Sequence, residues 1–387
     1  MKHNWKYKKL GEVCSVIGGS TPRTDVPEYW VGDINWFTPA EINDQKYYFS
    51  SERKISKVAV TSSGLTLLPQ GTVLLTSRAP IGKVGILCQE GYCNQGFKNL
   101  VCKEELYNEY LYYTLIYFKK EIEEKGRGAT FKEISKKVTE SIEIPVPPME
   151  VQVRIAAELD KLNEVIATKR DQIKQLDLLA QSIFYDTFGD PVTNPKGWIV
   201  SKLHYECLEI TDGDHAAPPK SNEGIPFITI SNIDKERYII DFTDSYYVPR
   251  TYFESIKSNR KPQKGDVLYT VTGSYGITVE VKDNLEFCFQ RHIGLLRPGN
   301  NLNSTFLAYW GRSEGMKFVA DKVATGIAQK TVSLSSLRDF PLILPPLSLQ
   351  QQFAMRVEAI EKQKAQIEES IKELQILLDS RMDYWFN

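Results

Sequence analysis

The sequence predicts an α+β chain of two similar lobes separated by two long helices. The helices are expected to pair as an antiparallel coiled coil, in a pseudo-two-fold, cyclic arrangement. Three observations lead there. Segments of the first half recur, in unbroken order, nearly two hundred residues later. Each half opens with about 145 residues of short apolar runs broken by Gly, Pro, Asn and Asp. Each half closes on a Pro-Pro pair, a Gln and a long helical pattern.

The recurrence begins at Trp5-x3-Lys9-Leu10, which returns as Trp198-x3-Lys202-Leu203, 193 residues on. INWFTPAEI from Ile34 resembles IPFITISNI from Ile225, and QGTVLLTSRAPIG from Gln70 resembles KGDVLYTVTGSYG from Lys264. CNQ at 93–95 is matched with CFQ at 288–290, and Lys132-x-Ile134-Ser135 with Lys330-x-Val332-Ser333. Pro147, Pro148 and Gln152 return as Pro345, Pro346 and Gln350, each 198 positions later. One such pair would be chance, whereas an ordered set indicates an internal duplication, and two copies are too few for a solenoid.

The lobes are expected at 1–148 and 191–346, and the helices at 149–190 and 347–387. Within the lobes, Val73–Thr76, Val84–Leu87, Val267–Thr270 and Ile277–Val281 read as strands. Glu104–Lys125 and Ser304–Lys322 read as helices. That mixture gives an α+β lobe. In the first long helix Ile155, Leu159, Leu162, Ile166, Lys169, Ile173, Leu176, Ala180 and Ile183 alternate spacings of four and three. Phe353, Val357, Ile360, Lys364, Ile367, Ile371, Leu374, Leu378 and Arg381 do so in the second. Such a narrow seam calls for a helical partner, the alternative being an amphipathic helix on its own lobe. The short connection FGDPVTNPKGW at 188–198 favours an antiparallel pair, with the chain ends near each other.

Composition bounds the function. At 387 residues, 42% hydrophobic and 25% charged, the chain is globular and long enough for more than one domain. No apolar run approaches a membrane span, and the N-terminus lacks a signal core, so a cytoplasmic protein is expected. Six cysteines without a C-x-x-C, and four histidines, argue for reduced structural thiols and no metal site. Net charge is −1. Lys+Arg against Asp+Glu runs 20 to 17 in the first lobe and 18 to 17 in the second, but 5 to 8 and 5 to 7 in the helices. The lobes are therefore the parts suited to face phosphates.

These features together resemble the specificity subunit of type I restriction–modification systems. The likeness rests on Trp198 after the Asn194-Pro195-Lys196-Gly197 turn, Ser77-Arg78-Ala79-Pro80-Ile81-Gly82, and the Lys132 and Lys330 stretches. Both Pro-Pro…Gln helix starts and Phe184–Gly189 closing the first helix add to it, so the resemblance spans the whole chain. It implies two target-recognition domains, each reading one half of a split double-stranded DNA site. It also implies two methyltransferase subunits and restriction–translocase subunits as partners. S-adenosylmethionine, ATP and Mg²⁺ would be used by those partners, with no cofactor bound by this chain. The second lobe departs from the pattern, with Thr272-Gly273-Ser274-Tyr275-Gly276 in place of the Arg-containing loop. The last helix ends in MDYWFN rather than repeating FYDTFGD.

Base reading needs side chains with paired donors and acceptors, while phosphate contacts need cations or backbone amides. In the first lobe Arg23, Thr38, Arg78, Lys83, Asn94, Gln95, Lys98, Arg127 and Lys132 are the DNA-binding candidates. In the second they are His215, Ser231, Asn232, Tyr275, Gln290, Arg291, His292 and Lys330. For each, a solvated loop residue or turn former is the plain alternative. Asp266 with Glu280-Val281-Lys282 imitates a metal-nuclease pattern, but the matching first-lobe positions are Thr72 and Ile86. Asp212-Gly213-Asp214-His215 could bind a metal, though a turn fits better. There is no G-x-x-x-x-G-K-[ST] and no adenine-methyltransferase motif, so no catalytic residue is assigned. The competing class is a non-DNA, two-lobed interaction scaffold on a coiled-coil stalk, which the near-neutral charge would allow.

Overall fold

The computed structural model describes residues 5–43, 45–78, 80–128, 132–215, 217–326 and 329–387. Two compact units emerge: Met1–Arg170 with Glu369–Asn387, and Asp171–Glu368. Two helices of 40 residues, α1 (Met149–Phe188) and α2 (Leu347–Phe386), each contribute a segment to both units.

The first unit holds a five-stranded sheet. Its order is Cys14–Gly18, Lys98–Cys102, Val73–Leu75, Val84–Leu87 and Tyr47–Tyr48. All neighbours are antiparallel except Tyr47–Tyr48, which runs parallel to Val84–Leu87. A second sheet joins Lys54–Ile55, Ile34–Phe37 and Tyr92–Cys93. Lys6–Lys9 pairs antiparallel with Glu143–Val146, so the chain enters and leaves the lobe side by side.

The second unit repeats the plan with one strand fewer in its main sheet. Cys207–Asp212, Ile293–Pro298, Val267–Thr270 and Thr278–Glu280 follow in that order, all antiparallel. Tyr246–Val248, Ile225–Ile228 and Cys288–Phe289 form the smaller sheet. Ile199–Lys202 pairs with Pro341–Leu344, as the entry and exit strands do in the first lobe.

Where each lobe hands over to its helix, the Gln of the repeat is fully buried. Gln152 Oε1 accepts the Tyr107 amide at 2.8 Å, and Nε2 donates to the carbonyls of Glu105 and Pro147, each at 2.8 Å. Gln350 accepts from the Asn303 amide at 2.9 Å and donates to Asn301 at 3.0 Å and Pro345 at 2.9 Å. A glutamine amide offers this acceptor and these two donors, and the carboxylate of glutamate would not. Both glutamines therefore tie lobe to helix.

The helical segments run antiparallel within each unit. In the first, Glu158 of α1 binds Arg381 of α2, with Nη2 to Oε2 at 3.1 Å, and takes the Trp385 indole N–H at 3.2 Å. Arg154, one turn earlier, lies 5.5 Å from the Trp385 ring. Trp5, the first described residue, stacks on Trp385 of α2 at 6.1 Å in this unit. In the second unit Lys364 of α2 binds Asp177 of α1 at 2.6 Å, while Phe353 packs on Phe184 and Phe188 at 5.6 and 5.4 Å. Lys364, a polar break in the seam, is buried with that carboxylate and with Glu361 at 3.1 Å.

Three local expectations are corrected. The helices expected over 104–125 and 304–322 are each two: Asn108–Tyr117 and Lys119–Glu124, then Ser304–Arg312 and Glu314–Val323. Ser313 leaves the helical region at ψ 148, donates to the Trp310 carbonyl at 2.7 Å and caps the Met316 amide at 3.3 Å. The α1 seam ends on Ala180, Phe184 and Phe188, all buried, rather than on half-buried Ile183. There it meets lobe side chains such as Phe306, 4.8 Å from Phe188, and no longer only a helix. The α2 seam likewise continues to buried Met382, Trp385 and Phe386, with Arg381 beside it.

Candidate nucleic-acid interface

In the first unit the strand Val73–Leu75 runs into a tight loop built by Thr76. Its hydroxyl donates to the Pro80 carbonyl at 2.7 Å and accepts the Lys83 amide at 2.9 Å. The Gly82 amide reaches the Thr76 carbonyl at 3.0 Å, with Gly82 at φ +84, a conformation glycine adopts without cost. Ala79 of this motif lies outside the described residues. The Ser77 amide donates to Gly96, and the Ile134 amide to Ser77, at 2.8 and 2.9 Å. Arg78 then stands opposite Glu133, and Glu133 opposite Arg127, in antiparallel bridges. Residues paired in this way project on one face. Arg78, Glu133 and Arg127 therefore form a row. Beneath it Lys98, 9% exposed, donates to Ser77 Oγ and to Glu133 Oε1, both at 3.1 Å.

The second unit builds the same cradle. Thr270 donates to Ser274 at 2.7 Å and accepts from the Ile277 amide at 3.0 Å, and the Gly276 amide reaches Thr270 at 2.9 Å. The Val332 amide donates to Val271 at 2.8 Å. Thr272 stands opposite Thr331, and Thr331 opposite Thr325, in the same antiparallel sense. The row is here three threonines, with Thr331 and Thr272 hydroxyls 3.3 Å apart. Sequence reasoning missed Glu133, Thr272, Thr325 and Thr331. A signal existed for two of them: the variable position inside Lys132-x-Ile134-Ser135 and Lys330-x-Val332-Ser333 is Glu133 in one copy and Thr331 in the other.

A second loop flanks each cradle, and here the repeat register needs correction. The Asn94 amide donates to Phe37 at 3.0 Å and the Gln290 amide to Ile228 at 3.0 Å, while Ser20 and Asp214 donate to Cys93 and Phe289 at 2.9 Å each. Asn94 is thus equivalent to Gln290, and Gln95 to Arg291, one place from the CNQ–CFQ match. Asn94 and Gln290 are both amides, the side chains suited to adenine.

The remaining candidates divide by what their side chains touch. Thr38 donates to Glu41 at 2.9 Å, Lys83 to the Ile42 carbonyl at 2.6 Å, and buried Asn232 takes the Thr229 amide and hydroxyl at 2.9 Å while donating to Asp241 at 3.1 Å. With Lys98, these three serve the scaffold. Their polar atoms are already engaged, and withdrawing them would leave part-buried partners unpaired. Arg23 is exposed and paired with Asp25 at 2.7 Å, holding that carboxyl below its ordinary value. His215 lies 2.8 Å from Asp212, which also meets Arg260 at 3.3 Å. Tyr275 donates to Asp321 at 2.6 Å, Ser231 shares a hydrogen bond with Thr229 at 2.7 Å, and exposed Gln95 accepts from Thr21. Arg78 and His292 are half-buried, whereas Arg127, Lys132, Arg291 and Lys330 are exposed. The Lys330 carbonyl takes the Gly273 amide at 3.1 Å, which places Lys330 beside the threonine row as Lys132 sits beside the arginine one.

The nuclease-like pattern resolves into structural pairs. Asp266 is buried and held by Arg297 at 2.9 and 2.8 Å, and Glu280 accepts the hydroxyls of Ser304 and Thr305 at 2.6 and 3.0 Å. Among the described residues no cluster of His, Cys, Asp or Glu is arranged to hold a metal ion, and no helix is long and apolar enough to cross a membrane.

Comparison with known proteins places this geometry. The family described as "Type I restriction modification DNA specificity domain" matches residues 2–178 and 206–375, one copy in each half. The specificity subunit of type I restriction enzyme MjaIX from Methanocaldococcus jannaschii is 35% identical over 257 residues, 60% of this chain and 59% of that relative. The chain therefore spans about three-fifths of that relative's length. The MjaVIII specificity subunit from the same organism is 24% identical over 97% of this chain and 92% of its own. In fold, the S subunit of a type I restriction–modification system from M. genitalium aligns over 99% of this chain and 96% of its own, at TM-score 0.54 and 15% identity. A chain from a structure of type I R-M complex assembly aligns over 98% and 96%, at TM-score 0.61 and 20% identity.

Proposed function

The chain belongs to the family of type I restriction–modification DNA specificity domains, and on that premise we propose that it is the DNA-reading, non-catalytic subunit of a type I restriction–modification complex. Each lobe reads one half of a bipartite duplex target. Methyltransferase subunits, two per chain, and restriction–translocase subunits supply the chemistry with S-adenosylmethionine, ATP and Mg²⁺. The observation that carries this reading is the duplicated cradle: one chain presents two copies of a loop held by identical backbone bonds but carrying different side chains. A reader of two different half-sites needs that combination of a fixed frame and variable contacts.

The helices fit the role of a ruler. Forty residues at 1.5 Å rise give about 60 Å, on the order of one to two turns of duplex. Inserting or deleting the same few residues in α1 and α2 is expected to change the unread gap between half-sites. A gap unchanged in the modified motif sinks the ruler. The function itself is tested by sequencing modified bases in cells with and without this gene. A split motif that disappears on deletion is expected, and its absence in both strains refutes the reading. Retention of purified protein on DNA, with and without a methyltransferase subunit, separates it from a non-DNA scaffold.

A further inference from the structure

Two ladders hold the same backbone in the two lobes, so what differs at the row is side-chain chemistry alone. In the first lobe Arg78 and Arg127 flank Glu133. The ion pair of Glu133 among the described residues is with Lys98 from beneath, at 3.1 Å, and no ion pair engages either guanidinium. Two cationic forks thus stand on one face without an ion pair among the described residues. Glycines bracket the approach: Gly126 and Gly128 adjoin Arg127, and Gly326, at φ +116, follows Thr325 as Gly128, at φ +140, follows Arg127. Backbone without side chains there lets a groove come close. In the second lobe the same three positions carry a methyl and a hydroxyl each and no charge.

We infer that this cross-strand row is the specificity-determining element of both lobes. The first half-site then requires a G·C pair where the second requires an A·T pair. The inference rests on the DNA-reading role proposed above. A guanidinium fork matches the two acceptors of guanine in the major groove, O6 and N7. A threonine methyl packs on the thymine methyl, and its hydroxyl serves either base. Glu133 is a positioning residue. With its carboxylate taken by Lys98, it separates the arginines without neutralising them.

The test co-expresses the full chain with a methyltransferase subunit and reads the modified motif from genomic DNA. In the wild type the first half-site is expected to contain G·C and the second A·T at the position read by the row. Arg78→Thr with Arg127→Thr is expected to remove the G·C requirement from the first half-site and leave the second unchanged. Thr325→Arg, on an exposed position that spares the first lobe, is expected to give the second half-site a preference of about tenfold or more for G·C. Glu133→Gln is expected to broaden the first half-site only. If the double variant gives no modification, Thr325→Arg decides by itself. An unchanged second half-site in that variant, or a wild-type first half-site lacking G·C, overturns the inference while a bipartite motif leaves the DNA-reading role standing. A wild type with no bipartite motif removes that role, and the inference with it.

Discussion

The junction between lobe and helix is solved differently in the two units. In the first, Lys46 reaches from the lobe to Glu109 and to Asp160 of α1, and its ammonium lies 4.9 Å from the Tyr113 ring. By the registers that the two glutamines establish, Glu109, Tyr113 and Asp160 correspond to Thr305, Tyr309 and Glu358. Among the described residues no lobe lysine pairs with Glu358; Lys282 of the lobe instead reaches Glu361 of α2 at 3.6 Å. The cation between the tyrosines is Arg312, at the end of the lobe helix Ser304–Arg312, 4.3 Å from the Tyr238 ring and 4.8 Å from Tyr309, with Nε bonded to the Thr278 carbonyl at 3.0 Å. Tyr238 reaches it from a backbone at φ +52, which costs a non-glycine residue on the order of 1–2 kcal/mol. Thr305, Tyr309, Arg312 and Glu358 then border an open cavity of about 740 Å³. A cation between tyrosines is common to both units, but its origin and its ion pairs are not. The hydrogen bonds of the two glutamines are common in every atom. Backbone satisfaction therefore holds the join, while charge is free to be rearranged around it.

The glutamines should therefore show the largest effect. Gln152→Ala and Gln350→Ala each strand one buried carbonyl and two part-buried backbone groups, at roughly 1–3 kcal/mol apiece when fully buried. A loss of about 3 kcal/mol or more is expected for either, read as a lowered urea midpoint. Hydrogen exchange should locate the loosening in the first unit for Gln152 and in the second for Gln350. Losses below about 1 kcal/mol would show that the join is held by something other than these bonds.

The charged networks come next and should differ between units. Lys46→Met leaves Glu109 and Asp160 without their cation at a partly buried site, and about 2 kcal/mol of destabilisation is expected after discounting for the exposure of Asp160. Arg312→Met removes a ring-stacked cation with one backbone bond and no ion pair among the described residues, so about 1 kcal/mol is expected. Burial already disfavours the charge on Arg312, lowering its pKa, which shrinks the loss further. Equal losses for the two variants would show that the two junctions draw alike on their cations.

How much of this was legible depended on whether a feature left a local pattern. The duplication, four of the sheet strands and both helix starts did, because short apolar runs, Pro-Pro and period-three-and-four spacing constrain a short segment directly. The break at Ser313 was also written locally, as a serine three residues before the amide it caps, but it was hidden inside an apolar run. The rows were not legible as rows. Arg78 lies 49 residues before Arg127 and 55 before Glu133, it joins them only through a bridge, and nothing in the chain announces a one-residue bridge. Thr38, Lys98 and Asn232 looked like readers because their residue types suit DNA. Their occupation by Glu41, Glu133 and Thr229 is a fact of packing that residue type cannot carry.

The smallest expected effect tests the same asymmetry through pH. Glu361 of α2 is partly buried, which alone would raise its pKa, yet Lys282 at 3.6 Å and Lys364 at 3.1 Å, with Arg312 nearby, bring it below the ordinary value. A depressed folded-state pKa means that its contribution is complete above the unfolded value, near 4.5, and is lost as pH falls through the folded one. The equivalent residue in the first unit is Asn163, an uncharged side chain that donates to the Leu159 carbonyl at 2.9 Å. Acid should therefore loosen the second unit's junction by a term the first lacks, at most about 1 kcal/mol for pairs this exposed. Glu361→Gln should lower the urea midpoint at pH 6 and cease to matter near pH 3, with protection lost only in the second unit. A difference between wild type and variant that persists unchanged to pH 3 would mean that Glu361 acts through packing and hydrogen bonds rather than charge. The second junction would then differ from the first in shape alone.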